Sequence, residues 1–278
     1  MSDEVNNGLE SYLSTQLDRA VTVVGLSRPT ATGFSADTMI IEIDFARAEP
    51  DSMDEPPRRL VVQAVPKGPA LFEDYDLRRT FRVQQALAGT DVPAASMRWL
   101  CEDTRWIGTP FYVMDFVPGR VPPDRPPYHV EGWLVDSPIA QRAALWNSGI
   151  EAMAKLHRLP MDGFEFLAEG DQTNAARQRI RRWRTFGEEL GPDAEVSVLA
   201  ALEALEQVTP EPGPLSVHWG DAKLGNMMFQ GEDVAAILDW ELCGLSVGEE
   251  DLAHWMAVDW LLSDALGNPA LEGLPRPA

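Results

Sequence analysis

The chain is poor in cysteine and in positive charge, and it has no long apolar run. Its two cysteines, Cys101 and Cys243, stand in no C-x-x-C pattern, so we expect neither a disulfide framework nor a zinc site. Reduced thiols in a cytoplasmic protein are the simpler interpretation. No stretch of about 18 or more apolar residues is present, which argues against a membrane-spanning helix. Residues 1–7 lack an apolar core, so we expect no secretory signal there.

The charge balance is strongly acidic. Lys and Arg number 23 against 44 Asp and Glu, which gives a formal net charge of −21. Such a surface repels nucleic acid and anionic membranes, so we expect neither as a partner. It would favour a cationic small-molecule acceptor, although solubility is the commoner reason for an acidic surface.

The remaining composition is that of a folded protein with room for two lobes. Hydrophobic residues make up 45% of the 278 positions, and nine residues are tryptophans. The usual domain size is about 100–200 residues. Strand patterns dominate before Gly119 and helix patterns after it. We therefore expect an N-terminal lobe over 1–117 and a C-terminal lobe over 118–278.

Apolar spacing predicts the individual elements. In the first half the predicted elements are a helix over 1–20, strands Val21–Leu26, Thr38–Phe45 and Leu60–Val65, helix Asp76–Leu87, and strands Ser96–Leu100 and Phe111–Phe116. In the second half the predicted helices are Pro138–Leu159, Asn174–Leu190, Val196–Val208 and Glu249–Leu266. The second of these carries five arginines. A solvated or acid-paired helix face is the commoner interpretation of such a cluster, and anion binding is the other.

The loop between the first two predicted strands contains small and hydroxyl-bearing residues. Gly33 can adopt backbone angles that other residues avoid, and Ser35 and Thr38 offer amide and hydroxyl groups. A loop that covers phosphates is one interpretation, and a plain hairpin turn is the other.

The segment 218–241 is the most informative part of the chain. A carboxylate, Asp221, is followed five residues later by the amide Asn226 and thirteen residues after that by a second carboxylate, Asp239. In phosphoryl transfer, a base, a metal-binding amide and a metal-binding carboxylate occur in this order. An Asp beside Gly is ordinarily a turn residue, but the whole constellation favours the catalytic interpretation over chance.

Between the amide and the second carboxylate the pattern predicts a β-hairpin. Met227–Gln230 and Val234–Leu238 read as its strands, joined by the three-residue loop 231–233. If Gln230 pairs with Val234, Asn226 lies opposite Leu238 and therefore beside Asp239. An amide oxygen and a carboxylate at one point suit a magnesium ion that is also bound by nucleotide phosphates.

With these residues in view, the chain resembles the aminoglycoside phosphotransferase family over nearly its whole length. It is similar to the bacterial branch that includes domains fused to acyl-CoA dehydrogenases. The resemblance is carried by residues 88–93, 100–103, 108–119, Leu156-His157, Trp219-Gly220-Asp221, Asn226, 237–241 and 251–253.

The resemblance implies a two-lobed protein-kinase-like α+β fold. The N-terminal lobe would be an antiparallel sheet plus a helix that binds nucleotide, and the helical C-terminal lobe would carry the catalytic hairpin and bind the acceptor. It implies Asp221 as catalytic base and Asn226 and Asp239 as magnesium ligands. It further implies Asp115–Val117 as the hinge whose backbone receives adenine, and Asp251 as an acid that braces the catalytic loop.

The chain departs from the family pattern in the N-terminal lobe. Gln63 stands where a phosphate-pairing Lys or Arg is usual, and Thr80 where its Glu partner is usual. Loss of both is chemically coherent, because one buried charge without the other would be costly. Lys67 and Arg79 are nearby basic candidates.

Two further departures lie in the C-terminal lobe. Trp219 occupies the usual place of a His, with His218 one position earlier, and the loop-like segment 267–278 is compatible with a truncated lobe.

We therefore expect a magnesium-dependent enzyme that moves the γ-phosphoryl group of ATP or GTP to a hydroxyl of a small molecule. Asp221 would act on the acceptor, Asn226 and Asp239 would hold magnesium, and Gly33, Ser35, Thr38 and Gln63 would lie at the phosphates. The alternative is a non-catalytic nucleotide-binding pseudokinase, which the neutral Gln63 and Thr80 favour.

Overall fold

The computed structural model describes residues 2–29, 36–45, 58–67, 76–168, 175–189, 196–208 and 214–265. Its N-terminal elements are α1 (Ser2–Leu17), β1 (Val21–Ser27), β2 (Asp37–Phe45), β3 (Arg59–Ala64), α2 (Leu77–Ala86), β4 (Met97–Cys101) and β5 (Phe111–Asp115). Its C-terminal elements are α3 (Ile139–His157), α4 (Ala175–Glu189), α5 (Val196–Val208), β6 (Leu215–His218), β7 (Met227–Gln230), β8 (Asp233–Ile237), β9 (Gly244–Val247) and α6 (Gly248–Trp260). Among the helices of these ranges, none has both the length and the apolar character needed to cross a membrane.

The first five strands form one antiparallel sheet in the order β1-β2-β3-β5-β4. Side chains alternate between the two faces of a strand. On β3, Leu60, Val62 and Ala64 therefore share one face, where they lie in an apolar cluster with residues of α1. Val61 lies in a second cluster with residues of α2. By the same alternation Gln63 belongs to the α2 side of the sheet.

The helix α2 contacts both halves of the molecule. Asp76 caps its first turn by accepting a hydrogen bond from the Arg79 amide at 2.9 Å. Phe81 lies in the same apolar cluster as Val61, whereas Val83 and Leu87 join the apolar core of the C-terminal half. The helix thus packs the sheet onto the helical half through two faces of one amphipathic element.

The core of the C-terminal half is built around three fully buried tryptophans, Trp219, Trp240 and Trp255. Gly149 of α3 faces the last of these. A Cβ atom added at Gly149 would lie 2.4 Å from a ring carbon of Trp255, so a larger residue could not keep this packing. The close approach of α3 to α6 therefore depends on glycine at this position.

The arginine-rich helix α4 is paired with acids of neighbouring elements. Arg181 and Arg184 contact Glu206 of α5 at 2.7 and 3.1 Å, and Arg179 contacts Glu250 of α6 at 2.9 Å. These contacts support the acid-paired interpretation of these arginines.

The pairing of β6 with β9 has no counterpart among the predicted strands. Each of the two strands has only four residues, and Ser216 pairs with Ser246, far along the chain. An alternation of four residues is too short to stand out in a sequence. This small sheet brings the loop after β6 next to the first turn of α6.

Candidate active site

The strands β7 and β8 form the predicted hairpin with a different turn. Gln230 pairs with Asp233 and not with Val234, so the connecting loop has two residues, 231–232, instead of three. Gly231 has a φ of 63°, a conformation that the tight turns of two-residue hairpins require. The predicted pairing of Gln230 with Val234 is therefore wrong.

A bulge restores the predicted register further down the hairpin. The pairing shifts by one residue beyond Met228, which itself pairs with Ala236, as expected from the sequence. Asn226 consequently faces Leu238, whose amide donates to the Asn226 carbonyl at 2.8 Å. The hairpin thus brings Asn226 beside Asp239, although by another route than predicted.

The loop that carries Asp221 approaches the next loop very closely. Gly220 has a φ of 100°, and a Cβ atom added there would lie 2.4 Å from the Leu242 carbonyl oxygen. Both the backbone angle and the contact exclude a side chain. The residue before Asp221 is glycine for this reason.

Asp251, in the first turn of α6, holds the same loop from the other side. Its carboxylate accepts the amides of Trp219 and Gly220 at 2.7 and 2.8 Å, and His157 lies 2.8 Å from it. Burial acts to raise the pKa of Asp251, but these hydrogen bonds and the nearby His218 outweigh it, so the pKa is lowered. These contacts agree with the bracing role that the resemblance implies.

Among the described residues, three side chains contact the carboxylate of Asp221. His254 Nε2 lies 3.2 Å from Oδ1, whereas Asn226 Nδ2 and Lys223 Nζ lie 2.7 and 3.4 Å from Oδ2. Burial alone would raise the pKa of Asp221, but the hydrogen bond with His254, the charge of Lys223 and the Asn226 amide lower it to about 2. Asp221 is therefore ionised at neutral pH.

The surroundings of Asp239 favour the ionised carboxylate less than those of Asp221 do, and its position is fixed through its backbone. It has a φ of 55°, uncommon for a residue other than glycine. The indole Nε1 of Trp219 lies 2.9 and 3.1 Å from the carbonyl oxygens of Leu238 and Asp239. Burial and the nearby charge of Asp221 raise the pKa of Asp239 to about 6. The positive charge that the protein places near Asp239 is thus too small to balance its carboxylate.

Lys223 is the cation among these acids. Its Nζ lies 3.3 Å from Asp124 and 3.4 Å from Asp221. Burial would lower the pKa of Lys223, but Asp221 and Asp124 outweigh it and raise the pKa. Asp124 comes from the extended loop between β5 and α3, so Lys223 links that loop to the loop of Asp221.

The donor set of Asn226 and Asp239 fits a magnesium ion. Asn226 directs its Nδ2 hydrogens to Asp221, which leaves the amide oxygen as the end available to a cation. The raised pKa of Asp239 marks a carboxylate that a divalent cation would stabilise. In the described part of the chain no group of three or more His, Cys, Asp or Glu is arranged for a metal. Water and nucleotide phosphates would supply the remaining ligands.

On the sheet, Gln63 belongs to a neutral hydrogen-bonded network. The Tyr112 hydroxyl donates to the Gln63 side-chain oxygen, and Gln84 of α2 lies 3.4 Å from the same hydroxyl. Thr38, which pairs with Gln63 across β2 and β3, lies 3.4 Å from its amide nitrogen. Burial raises the pKa of Tyr112. Tyr112 thus remains a neutral donor between two amides.

This network corrects the expected partner of Gln63 on α2. Thr80 is buried but donates its hydroxyl to the Asp76 carbonyl at 3.3 Å, within its own helix. Gln84, one turn later, reaches the network. Lys67 also differs from expectation, since its Nζ donates to the Ile107 carbonyl at 3.0 Å, at the connection of β4 to β5.

The predicted hinge follows β5. The Asp115 carboxylate is held by Arg98 at 2.6 and 2.8 Å, and its amide donates to Ser96 at 2.9 Å. Val117 is half-buried against the apolar cluster that contains Val61 and Phe81. The predicted phosphate-loop residues Gly33 and Ser35 lie outside the described residues.

Three residues of the site were missed by sequence reasoning, namely Lys223, Asp124 and His254. A signal existed for the first, since Lys223 is two residues from Asp221. His254 stands three residues after Asp251, and helical spacing places both on one face of α6. Asp124 has no local signal, because a long loop brings it to the catalytic loop.

The fold and this site together define a class. An antiparallel five-stranded sheet with α2 packed beneath it precedes a helical half that carries a catalytic-type loop and hairpin. This is the two-lobed architecture of kinase-like phosphotransferases.

The chain belongs to the phosphotransferase enzyme family (APH), whose family model matches residues 52–276. It is 30% identical over 204 residues to acyl-CoA dehydrogenase family member 10 of Mus musculus, with 71% of this chain and 18% of that protein covered. It is 28% identical over 199 residues to family member 11 of Homo sapiens, with 70% of this chain and 24% of that protein covered. The chain thus spans less than a quarter of the length of these relatives.

Solved structures show the same architecture. A predicted aminoglycoside phosphotransferase from Ralstonia eutropha jmp134 is 27% identical with a TM-score of 0.62, covering 91% of this chain and 69% of that one. A thermostable mutant of aminoglycoside phosphotransferase APH(4)-Ia, in complex with ADP and hygromycin B, is 13% identical with a TM-score of 0.59, covering 95% and 79%. At this identity the second likeness concerns the fold alone.

Proposed function

We propose that this protein transfers the γ-phosphoryl group of ATP or GTP to a hydroxyl group of a small molecule. The observation that carries the proposal is the convergence of three side chains at one end of a hairpin. Asn226 contacts Asp221 at 2.7 Å and lies beside Asp239 through the pairing with Leu238. A base and two metal-binding groups in one place are what phosphoryl transfer needs.

Asp221 would orient the acceptor hydroxyl. A carboxylate with a pKa of about 2 is a weak base, so it holds the hydroxyl by a hydrogen bond in the ground state. As the acceptor oxygen bonds to the γ-phosphorus, the bond from that phosphorus to the nucleotide diphosphate breaks. The hydroxyl proton passes to Asp221 late in this step, when the acceptor oxygen has become acidic. Positioning therefore contributes more than basicity.

Magnesium would be held by Asn226 and Asp239, and when bound it would neutralise phosphate charge. The protein's own contribution is the fixed spacing of these two groups, set by the bulged hairpin and by the Trp219 indole beneath Asp239.

The nucleotide would lie between the sheet and the hairpin. Adenine or guanine would meet the backbone of 115–117, since the Asp115 carboxylate is occupied by Arg98. The phosphates would lie near Gly33, Ser35, Thr38 and Gln63. Residues 1–117 would then form the nucleotide-binding lobe and residues 118–278 the acceptor-binding lobe.

The acceptor would be a hydroxylated small molecule. Structural neighbours of low identity are complexes with hygromycin B, streptomycin and gentamicin. A cationic acceptor suits the acids Asp124 and Asp221 and the net charge of −21.

A pseudokinase is the second candidate, and the neutral network around Gln63 favours it. The deciding experiment incubates the protein with Mg-ATP or Mg-GTP and a panel of amino- and hydroxyl-bearing compounds, followed by ³¹P NMR. A phosphomonoester that appears with the parent but not with Asp221→Asn supports the enzyme. Nucleotide binding without any transfer, to water included, would identify the pseudokinase.

A further inference from the structure

The helix α6 meets the catalytic loop at two points. Asp251, in its first turn, accepts the amides of Trp219 and Gly220. His254, three residues later, places Nε2 3.2 Å from Oδ1 of Asp221. Residues three apart share one face of a helix. The first contact fixes the backbone of the loop, and the second reaches the reacting carboxylate itself.

The direction of the second hydrogen bond follows from chemistry. Ionised Asp221 can only accept, so the Nε2 atom of His254 must carry the hydrogen. Asn226 and Lys223 both approach the other oxygen, Oδ2. Among the neighbours described for this carboxylate, His254 is thus the donor on the Oδ1 side. Removing it would leave two attractions that pull from one side only.

We propose that His254 is a positioning residue, whose Nε2–H holds the Asp221 carboxylate in the orientation that the acceptor hydroxyl requires. The inference rests on the proposed function and adds a residue to it. Lys223 supplies the reason for the need: a cation 3.4 Å from Oδ2 attracts the carboxylate toward Asp124. His254 opposes that displacement, and its own side chain is 41% exposed.

The expected effect is on turnover. A displaced catalytic group of about 1 Å can lower a rate roughly 10²-fold, so His254→Ala should lower kcat by roughly 10–100-fold. The KM for nucleotide should change little, because the nucleotide would be bound by other residues. His254→Gln carries an amide N–H at a similar reach and should recover much of the loss.

The experiment measures kcat and KM with Mg-ATP, using the best acceptor of the panel, or water if none reacts. The variants are His254→Ala, His254→Gln, Asp221→Asn and the double variant Asp221→Asn with His254→Ala. Leu252→Ala is the matched control, since this residue is exposed on the same helix. Melting temperatures check that each variant is folded.

A positioning role predicts that His254→Ala costs little once Asp221 has been replaced, because His254 acts through that residue. It also predicts the Nε2-protonated tautomer of His254 in ¹H–¹⁵N spectra of the parent. An unchanged kcat in His254→Ala, beside an inactive Asp221→Asn, overturns this inference and leaves the proposed function standing. A loss that appears only in the acceptor KM overturns it in favour of direct acceptor binding. A parent without turnover, even to water, overturns both.

Discussion

The polar side chains of the sheet face and those of the hairpin end differ in charge. On β3, β5 and α2, the neutral side chains Gln63, Tyr112 and Gln84 are linked by hydrogen bonds through the Tyr112 hydroxyl. At the hairpin end, Asp221 and Asp239 are both half-buried carboxylates, and their pKa values move in opposite directions. A neutral network is satisfied by hydrogen bonds alone, whereas buried charges need counter-charges. The two regions thus differ in what satisfies them, and the charged groups that the proposed function needs belong to the C-terminal half.

The largest expected effect is at Asp221. Asp221→Asn keeps the shape but removes the base, and it should lower turnover by roughly 10²–10⁴-fold while leaving nucleotide binding nearly intact. Steady-state kinetics measure the turnover, and calorimetric titration measures the nucleotide binding. Asp233→Asn, at the exposed hairpin turn, is the control. Turnover within about threefold of the parent would show that Asp221 is not the catalytic base.

The second prediction concerns Asp239. Asp239→Ala should abolish the magnesium dependence of nucleotide binding, because the carboxylate would act through the metal. Titrations with Mg²⁺ and with EDTA compare the two conditions, with Asp233→Ala as the matched control. Binding that weakens by the same factor in both conditions would assign Asp239 to folding instead.

The third prediction uses pH to test burial beside the catalytic loop. Burial lowers the pKa of His218 to about 4, from about 6.5 in the unfolded chain. The unfolded state therefore binds the proton first as the pH falls. The resulting stabilisation is complete above about pH 6.5 and decreases as the pH falls toward about 4, since protons favour unfolding over that window.

His218→Gln removes this linkage. Urea unfolding at pH 7.5 and pH 5 should show the parent losing roughly 2 kcal/mol more stability than the variant between the two conditions. Comparing the two proteins cancels the titration of other groups, including the opposite trend expected from the raised pKa of Asp239. Parallel losses in both proteins would contradict a buried neutral His218.

The smallest effect is expected in the neutral hydrogen-bonded network around Gln63. Gln63→Lys alone should help nucleotide binding little, because it buries a cation without a partner. Together with Gln84→Glu it should tighten ATP binding by roughly 1 kcal/mol more than the two single changes summed. The pair Gln63→Lys with Thr80→Glu is the control and should be additive. Coupling with Thr80 and not with Gln84 would show that the nucleotide-bound lobe repacks α2.

The sequence was sufficient for the local elements whose signals are strong. The α+β architecture is confirmed, and the register of Asn226 opposite Leu238 agrees with the expected one. The predicted three-residue turn is wrong. The choice between a three-residue loop and a two-residue loop with a bulge depends on packing over the whole hairpin. Arg120, from the segment after β5, exchanges backbone hydrogen bonds with Phe229 at 2.9 Å, a contact outside the range of any local pattern.

Residue types and spacing by themselves determined the class of chemistry, since an Asp, an Asn and a second Asp in this order suit few other reactions. Only the tertiary structure decided which groups surround them. Gln84 replaced Thr80 as the partner of the Gln63 network because the rotation of α2 on the sheet is set by its two apolar faces. His254 reaches Asp221 from a later helix, and Asp124 reaches Lys223 from a long loop. These two contacts join residues that are 33 and 99 positions apart, and their geometry follows from the packed core and not from any pattern along the chain.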